Sequence, residues 1–395
     1  MQMSAVDSQN RDRAIELSIV MPCLNEAETI VTCIEKARTW LSESGTAGEV
    51  LVADNGSTDG SPELATKAGA RVIAVREKGY GAALIEGIDA ARGEFIIMGD
   101  ADDSYDFGKL DAFVVKFREG HEFVMGNRFA GGILPGSMPP LHRYFGTPVL
   151  TTISRLFFGS VCGDIQCGLR GFRKSALQKL RLQTMGMEFA SEMVVKAALN
   201  KLRTAEVPVV LSPAGRSRPP HLRSWRDGWR NLRFYLLYSP RWLFLYPGLV
   251  LMVAGLAVSV WLLPGPIFVE NVAFDVHTLL YAAMAMVLGF QAIVFAVFTK
   301  TFAINEKLLP EDPKFSRWFN ATRLEAGLLF GGILCVLGLA GSIWAVLRWK
   351  SHAFGRLDSS EMLRIIVPSV TALTIGFQAI LSSFFLSILG LRRRR

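Results

Sequence analysis

Cysteine and histidine are scarce in this chain, with five of each among 395 residues. The cysteines stand at positions 23, 33, 162, 167 and 335. Cys162 and Cys167 lack the tight C-x2-C spacing of a zinc site, and no second pair exists, so a zinc-ribbon reading is excluded. An odd number without a framework argues against a disulfide scaffold and fits a reducing compartment. No histidine lies beside the main carboxylate cluster in sequence, so that cluster has no neighbouring imidazole base. Met1 to Glu16 is polar and lacks the apolar core of a signal peptide. Residues 1–15 are expected to form a disordered leader.

What the chain has in abundance is apolar residue, unevenly spread. Its mean hydropathy is +0.30, yet the N-terminal part mixes charge and apolar residues as a soluble domain does. Long apolar runs crowd the C-terminal part. The formal net charge is +8, and much of the excess sits in Arg216 to Arg241 and in the tail Arg392 to Arg395. Basic clusters beside hydrophobic spans read as anchors to anionic lipid. Nucleic acid is the other partner of basic proteins, and the neighbouring spans argue against it.

In the N-terminal part, apolar strands alternate with helical periods in units of roughly 20–35 residues, the pattern of a doubly wound, mostly parallel α/β sheet. Strands are expected at Leu17–Met21, Glu49–Ala53, Arg71–Val75 and Glu94–Met98. Helices are expected from Ala27, from Ser61-Pro62 and from Ala82. Polar or flexible residues recur at the strand ends: Asn25 and Glu26, Asp54 and Asn55, Asp100 and Asp102. If these strands are neighbours, all three sets line one crevice at the edge where such sheets bind ligands. Gly79 and Gly81 would let backbone approach a ligand closely, or simply form a helix-entry turn. Lys78 could meet phosphate or stay solvated.

The organising stretch is E-F-I-I-M-G-D-A-D-D-S-Y-D-F, Glu94 to Phe107. Carboxylates crowded at a strand end repel one another unless a cation offsets them. Mg2+ or Mn2+ takes a few carboxylate oxygens and fills its other positions with phosphate oxygens and water. Asp100-Ala101-Asp102 therefore suggests a metal holding a nucleotide diphosphate; the bland alternative is an Asp-rich solvated turn.

The motifs M-P-C-L-N-E, V-A-D-N-G-S-T-D-G-S, G-Y-G-A-A-L and G-D-A-D, in this order, resemble the inverting family 2 glycosyltransferases of GT-A fold. Within that family they are most similar to the dolichyl- and polyprenyl-phosphate sugar synthases. The resemblance covers roughly residues 15 to 240. It implies that Pro22 and Glu26 lie along the nucleoside and that Asp54 contacts the base. It implies that Asp100 and Asp102 serve the ribose, diphosphate and metal. Two departures stand out. Asn55 replaces the second of two adjacent aspartates, and Ser104 replaces a glutamine that is common two places after the D-x-D. Ser104 is a poorer metal ligand, which leaves Asp103 as a candidate third contact.

Further on, Gly126-Asn127-Arg128-Phe129 follows a strand at Phe123–Met125. Arg143 lies in the amphipathic stretch Leu141–Phe158, which suits the membrane interface. Arg128 and Arg143 are candidates for gripping an acceptor phosphate; surface ion pairing is the alternative. Asp164 to Arg173 resembles the family's D-x-x-x-G-x-R-x-x-R segment, in which Asp164 either orients reacting groups or braces an arginine. Glu188 opens a helix that ends near Asn200, and either caps it or contacts sugar hydroxyls. Ala205 to Leu211 is a late strand. Gly215-Arg216-Ser217-Arg218 resembles the family's G-x-S-K loop, with Arg218 placed to meet the diphosphate.

These residues suffice for one chemistry without a catalytic histidine. A sugar nucleotide leaves as an anionic diphosphate, which metal and arginine stabilise. A lipid phosphate monoester is largely ionised at neutral pH, so it is a nucleophile without a general base. The remaining work is positioning, and in-line attack inverts the anomeric centre.

In the C-terminal part, Ser224 to Tyr238 interleaves tryptophans and leucines with arginines and reads as an interfacial helix. Four apolar segments follow, Trp242–Leu263, Thr278–Phe298, Ala326–Leu347 and Ile365–Leu389, each long enough to cross ~30 Å of hydrocarbon. The connection Pro264–His277 has no Lys or Arg, whereas Lys300–Arg323 has several. This places the catalytic domain and the Arg tail in the cytoplasm. Arg348, Lys350, Arg356 and Arg364 in the third connection argue the other way. The expected organisation is a leader (1–15), a GT-A domain (16–220), an interfacial helix (221–240) and a four-helix transmembrane domain (241–395). Related membrane synthases often form homo-oligomers. A processive polysaccharide synthase of the same fold is the nearest alternative, but Ser239-Pro240-Arg241-Trp242 lacks the glutamine of its Q-x-x-R-W segment. A non-catalytic scaffold or flippase partner is the alternative of a different class.

Overall fold

A computed structural model describes residues 14–217, 224–315, 317, 324–356 and 358–390. The chain divides into two compact units, Met1–Tyr235 and Leu236–Arg395.

The first unit is built on a seven-stranded sheet of order β3-β2-β1-β4-β6-β5-β7. Its first strand, β1 (Leu17–Cys23), is buried along its whole length. β2 (Gly48–Asp54) lies parallel on one side of it and β4 (Phe95–Met98) on the other. β3 (Arg71–Ala74) extends the sheet beyond β2. The β1–β4 ladder ends at Val20 paired with Met98. Pro22 lies beyond that end, where a residue without N–H breaks no bond on the β4 side. Strand order reverses between β1 and β4, which makes their carboxyl ends the switch point of the sheet. The helices are α1 (Ile30–Ser44), α2 (Ser61–Lys67), α3 (Tyr80–Ala90) and α4 (Asp111–Arg118). Pro62 occupies the first turn of α2, where its missing N–H is harmless.

β5 (Phe123–Asn127) does not pair with β4. Between them lies β6 (Arg170–Arg173), antiparallel to both. β7 (Thr204–Pro208) closes the edge, parallel to β5. The intervening chain forms a π-helical turn, His142–Gly146, running into α5 (Thr147–Phe158), then α6 (Lys174–Leu180) and α7 (Phe189–Leu199). α8 (Ser224–Tyr238) follows. Its Asn231 and Tyr235 are buried, and the Ser191 hydroxyl of α7 donates to Asn231 Oδ1 at 2.8 Å. Its Trp225 and Trp229 stay 79% and 60% exposed. The helix is thus seated by a polar face and leaves its indoles bare. Tyr144 and Phe145 of the π-helical turn are exposed as well.

The second unit is helical. A turn at Arg241–Leu245 leads into α9 (Tyr246–Leu262), followed by α10 (Val276–Asn305), α11 (Leu324–Ser351) and α12 (Ser359–Gly390). Among the described residues, four helices are long and apolar enough to cross a membrane. A short hairpin, β8 (Ile267–Val269) and β9 (Val272–Phe274), fills the first connection. The helices pair through glycine. A Cβ at Gly255 would lie 2.5 Å from Ala282 O across the α9–α10 contact. Gly331 and Gly376 face each other across α11–α12, each at 2.6–2.7 Å from the other's carbonyl oxygen when a Cβ is added. Without a hydrophobic drive between helices in lipid, such backbone approach supplies the packing.

Candidate active site

Parallel pairing brings the ends of β2, β1 and β4 to one edge. Cys23 is level with Asp54, and Asp100 and Asp102 follow β4 closely. The three polar sets expected at neighbouring strand ends lie at one edge of the sheet.

The wall formed by residues 54–61 is self-bonded. The Asp54 carboxylate accepts from the N–H groups of Gly56 and Ser57 at 3.1–3.3 Å. Asn25, at φ 57°, accepts on Oδ1 from Thr58 N at 2.8 Å, so its amide is used to stitch two loops together. Asn55 donates from Nδ2 to Glu77 O at 2.7 Å and accepts on Oδ1 from Gly79 N at 2.9 Å. Both bonds need an amide, which gives a physical reason for asparagine where an aspartate was expected. Lys78 is exposed, and its ammonium donates to Asn55 O at 2.8 Å.

The expectation that Gly79 and Gly81 open space for a ligand is corrected. A Cβ at Gly79 would lie 2.1 Å from Met185 O, and one at Gly81 would lie 2.3 Å from Thr184 O. The space a side chain would need at these glycines is taken by the 184–185 backbone. That loop is held from behind by the buried Glu192. Its carboxylate accepts from the N–H groups of Gln183 and Thr184 and pairs with Lys196 at 2.7 Å.

The Asp100–Asp102 turn is the electrostatic centre. The Thr29 hydroxyl donates to the carbonyl of buried Ala101 at 2.7 Å and pins the turn to the start of α1. Asp102 Oδ1 accepts from Ser104 N at 3.1 Å. Asp100 Oδ1 accepts from the Tyr80 hydroxyl at 3.1 Å. Loss of hydration, and then the charge of Asp102, push the Asp100 carboxyl up to about 6. Buried Arg170, which donates to the carbonyls of Cys167 and Ala190, works against that rise. Asp103 is not part of the pair. It turns to φ 59° and gives its carboxylate to Lys36 at 2.7 Å, so the expectation of a third metal contact there is corrected. The cation that does meet the pair is Arg216, 3.2 Å from Asp102 and 2.6 Å from Glu26. The loop motif Gly215-Arg216-Ser217-Arg218 had pointed to Arg218 instead. Arg218 lies outside the described residues.

Among the described residues, no three His, Cys, Asp or Glu side chains gather as a metal cage. Two repelling carboxylates answered by a guanidinium still fit a hard divalent cation. Such an ion takes one or two carboxylates and completes its shell with phosphate and water.

Arg128 lies at the end of β5 and is held from three sides. Its Nε and Nη2 meet Asp164 at 2.6 and 2.8 Å, and its N–H donates to the same carboxylate at 3.1 Å. Asn127 caps the turn by accepting from Ala130 N at 3.0 Å. Glu206 fixes Asp164 in place by accepting from its N–H at 3.3 Å. Asp164 is wholly buried, and both its oxygens are committed. Of its two expected roles, bracing the arginine is the one its contacts perform. Arg143 rests over the Tyr144 ring at 5.6 Å. His142 is missed by sequence reasoning. Burial, and then the charge of Arg128, lower its pKa.

Comparison with known proteins gives the family. Residues 18–181 match the glycosyltransferase family 2 domain, and residues 297–390 match the C-terminal transmembrane region of that family. The low-salt glycan biosynthesis hexosyltransferase of Haloferax volcanii is 38% identical over 97% of this chain and 91% of its own. The dolichyl-phosphate hexose transferase of Haloferax volcanii is 30% identical over 49% of this chain and 82% of its own. A solved glucosyl-3-phosphoglycerate synthase from Mycobacterium tuberculosis, with Mn2+ and UDP-glucose, is 22% identical, covers 56% of this chain and 78% of its own, and has a TM-score of 0.46. The chain belongs to glycosyltransferase family 2. It is a membrane glycosyltransferase, with a mostly parallel GT-A-like domain followed by four apolar helices.

Proposed function

We propose that this protein transfers a single hexose from a nucleotide sugar, UDP-glucose or GDP-mannose, to a polyprenyl or dolichyl phosphate, with inversion at the anomeric carbon. The observation that carries the reading is the Asp100–Asp102 pair at the switch point of the sheet, with the Arg216 guanidinium against Asp102. Mg2+ or Mn2+ at Asp102 and Asp100 would supply charge to the leaving diphosphate. Pro22, Glu26 and Asp54 line the nucleoside side of the crevice. Arg128, held rigid by Asp164, offers a fixed cation to the acceptor phosphate, and Arg143 offers a second. Because the phosphate is itself the nucleophile, these residues need only position it and screen its charge. The relative named for dolichyl-phosphate hexose transfer supports this acceptor class.

The exposed indoles of α8 and the exposed Tyr144 and Phe145 suit the headgroup layer. The catalytic unit is assigned to the cytoplasmic side by the Lys and Arg of the second connection. Two of the four opposing cations of the third connection, Arg364 and Arg348, have structural employment. Arg364 pairs with Asp275, and Arg348 with Glu361, so their presence there has a cause independent of orientation.

The test is direct. Purified protein with Mg2+ or Mn2+, a short polyprenyl phosphate and each donor separately is analysed by mass spectrometry. One metal-dependent glycolipid carrying one hexose is the expected product. A ladder of sugars would instead indicate a polymerase, and no product from either donor would remove the proposed substrates.

A further inference from the structure

Arg216 is the cation nearest the donor carboxylates, and its setting is unusual. Its side chain is only 12% exposed, yet it reaches Glu26 Oε1 through Nη1 and Asp102 Oδ2 through Nη2. Its Nε is buried and has no hydrogen-bond partner among the described residues. A buried donor left unused calls for an explanation. The loop that carries it is fastened down along the D-x-D turn. Ser212 N donates to Ser104 O at 3.0 Å and Gly215 N to Asp102 O at 2.9 Å. Ser217 donates from its N–H and its hydroxyl to Glu28 at 2.7 and 2.6 Å. One guanidinium thus neutralises the carboxylate best placed to hold a metal, and closes the loop over it.

A guanidinium and a divalent cation cannot both approach Asp102 Oδ2 closely, because like charges at that range repel. The geometry points to Arg216 as an exchangeable cation. Without a divalent ion it pairs with Asp102 and Glu26, as here, and holds the 212–217 loop down. When a divalent cation arrives with a nucleoside diphosphate, Arg216 leaves Asp102. Its Nη2 and its unused Nε then turn to the diphosphate oxygens. This rests on the metal and nucleotide use proposed above. It also sets an order. A metal ion alone meets a site already filled with positive charge, whereas a metal ion with diphosphate brings the anion that re-pairs the guanidinium.

The experiment is a Mn2+ titration of the full chain in detergent, reading free Mn2+ by electron paramagnetic resonance, with no nucleotide, with UDP and with GDP. The wild type is expected to bind Mn2+ weakly alone and more tightly with one nucleotide. Arg216→Gln is expected to tighten nucleotide-free binding by roughly tenfold, the effect of removing one adjacent unit charge in a partly screened site. The same variant should lose most of the enhancement by nucleotide. Arg216→Lys keeps the charge and should stay near the wild type, which separates charge from loop packing. Asp102→Asn should weaken binding in both backgrounds and so locate the signal. If Arg216→Gln binds Mn2+ alone no better than wild type, while wild type binds it with nucleotide, the exchange is wrong and the metal reading stands. If wild type binds Mn2+ under no condition, both are wrong.

Discussion

Asn55 shows how a single atom decides a residue choice. An aspartate there would match the family pattern more closely but could not donate to Glu77 O. Asn55→Asp is therefore expected to destabilise the catalytic unit by about 1–2 kcal/mol, through an orphaned carbonyl and a new charge beside Asp54. Differential scanning fluorimetry would read this as a lower unfolding temperature. A larger effect is expected at Asp164. Removing one partner of a buried pair leaves the other charge uncompensated, at a cost of about 3–5 kcal/mol. Asp164→Asn should lower stability on that scale and raise KM for the acceptor phosphate more than for the donor. An unchanged acceptor KM would show that Arg128 does not touch the acceptor. The cysteines give a simpler check. Burial pushes the Cys23 and Cys162 thiols up to about 11, and those of Cys33 and Cys167 up to about 12. Since the thiolate is the reactive form, these four should resist a thiol reagent at neutral pH until the protein is denatured.

At the scale of elements, what the sequence carried locally was legible and what it carried through distant pairing was not. β1, β2 and β4 are short buried apolar runs, and α8 spans Ser224–Tyr238 as its tryptophan and arginine spacing implied. β6 was invisible, because R-G-F-R has neither alternation nor an apolar run. Its place is decided by the edges of β4 and β5 that flank it. The hairpin β8–β9 is likewise too short to announce itself between two spans. At the site, carboxylates after strands announced the shared edge at the ends of β2, β1 and β4. Arg216 did not, because its partners lie 190 and 114 positions away in the chain. The glycines of α11 and α12 read simply as apolar composition, and only packing gave them a task. Gly376→Val would drive a side chain into the Gly331 carbonyl. It should lower the temperature of aggregation in detergent by several degrees, while Gly332→Val, where a Cβ meets nothing within 4 Å, should not.

At the scale of the whole molecule, the assigned topology can be checked by accessibility. A cysteine at Glu270, in the connection without Lys or Arg, should label with an impermeant maleimide from outside intact cells. A cysteine at Lys307 should label only after lysis. The reverse pattern would invert the orientation argued here from charge.

The sheet carries a last consequence. One flank, β3-β2-β1-β4, holds Asp54, Asp100 and Asp102 at its strand ends, and the other, β5 and β7, positions Arg128. The four-residue strand β6 is the seam between them. On the function proposed above, a change of activated sugar and a change of carrier would fall largely on opposite flanks of this seam, so a lineage of such enzymes could diversify one flank at a time.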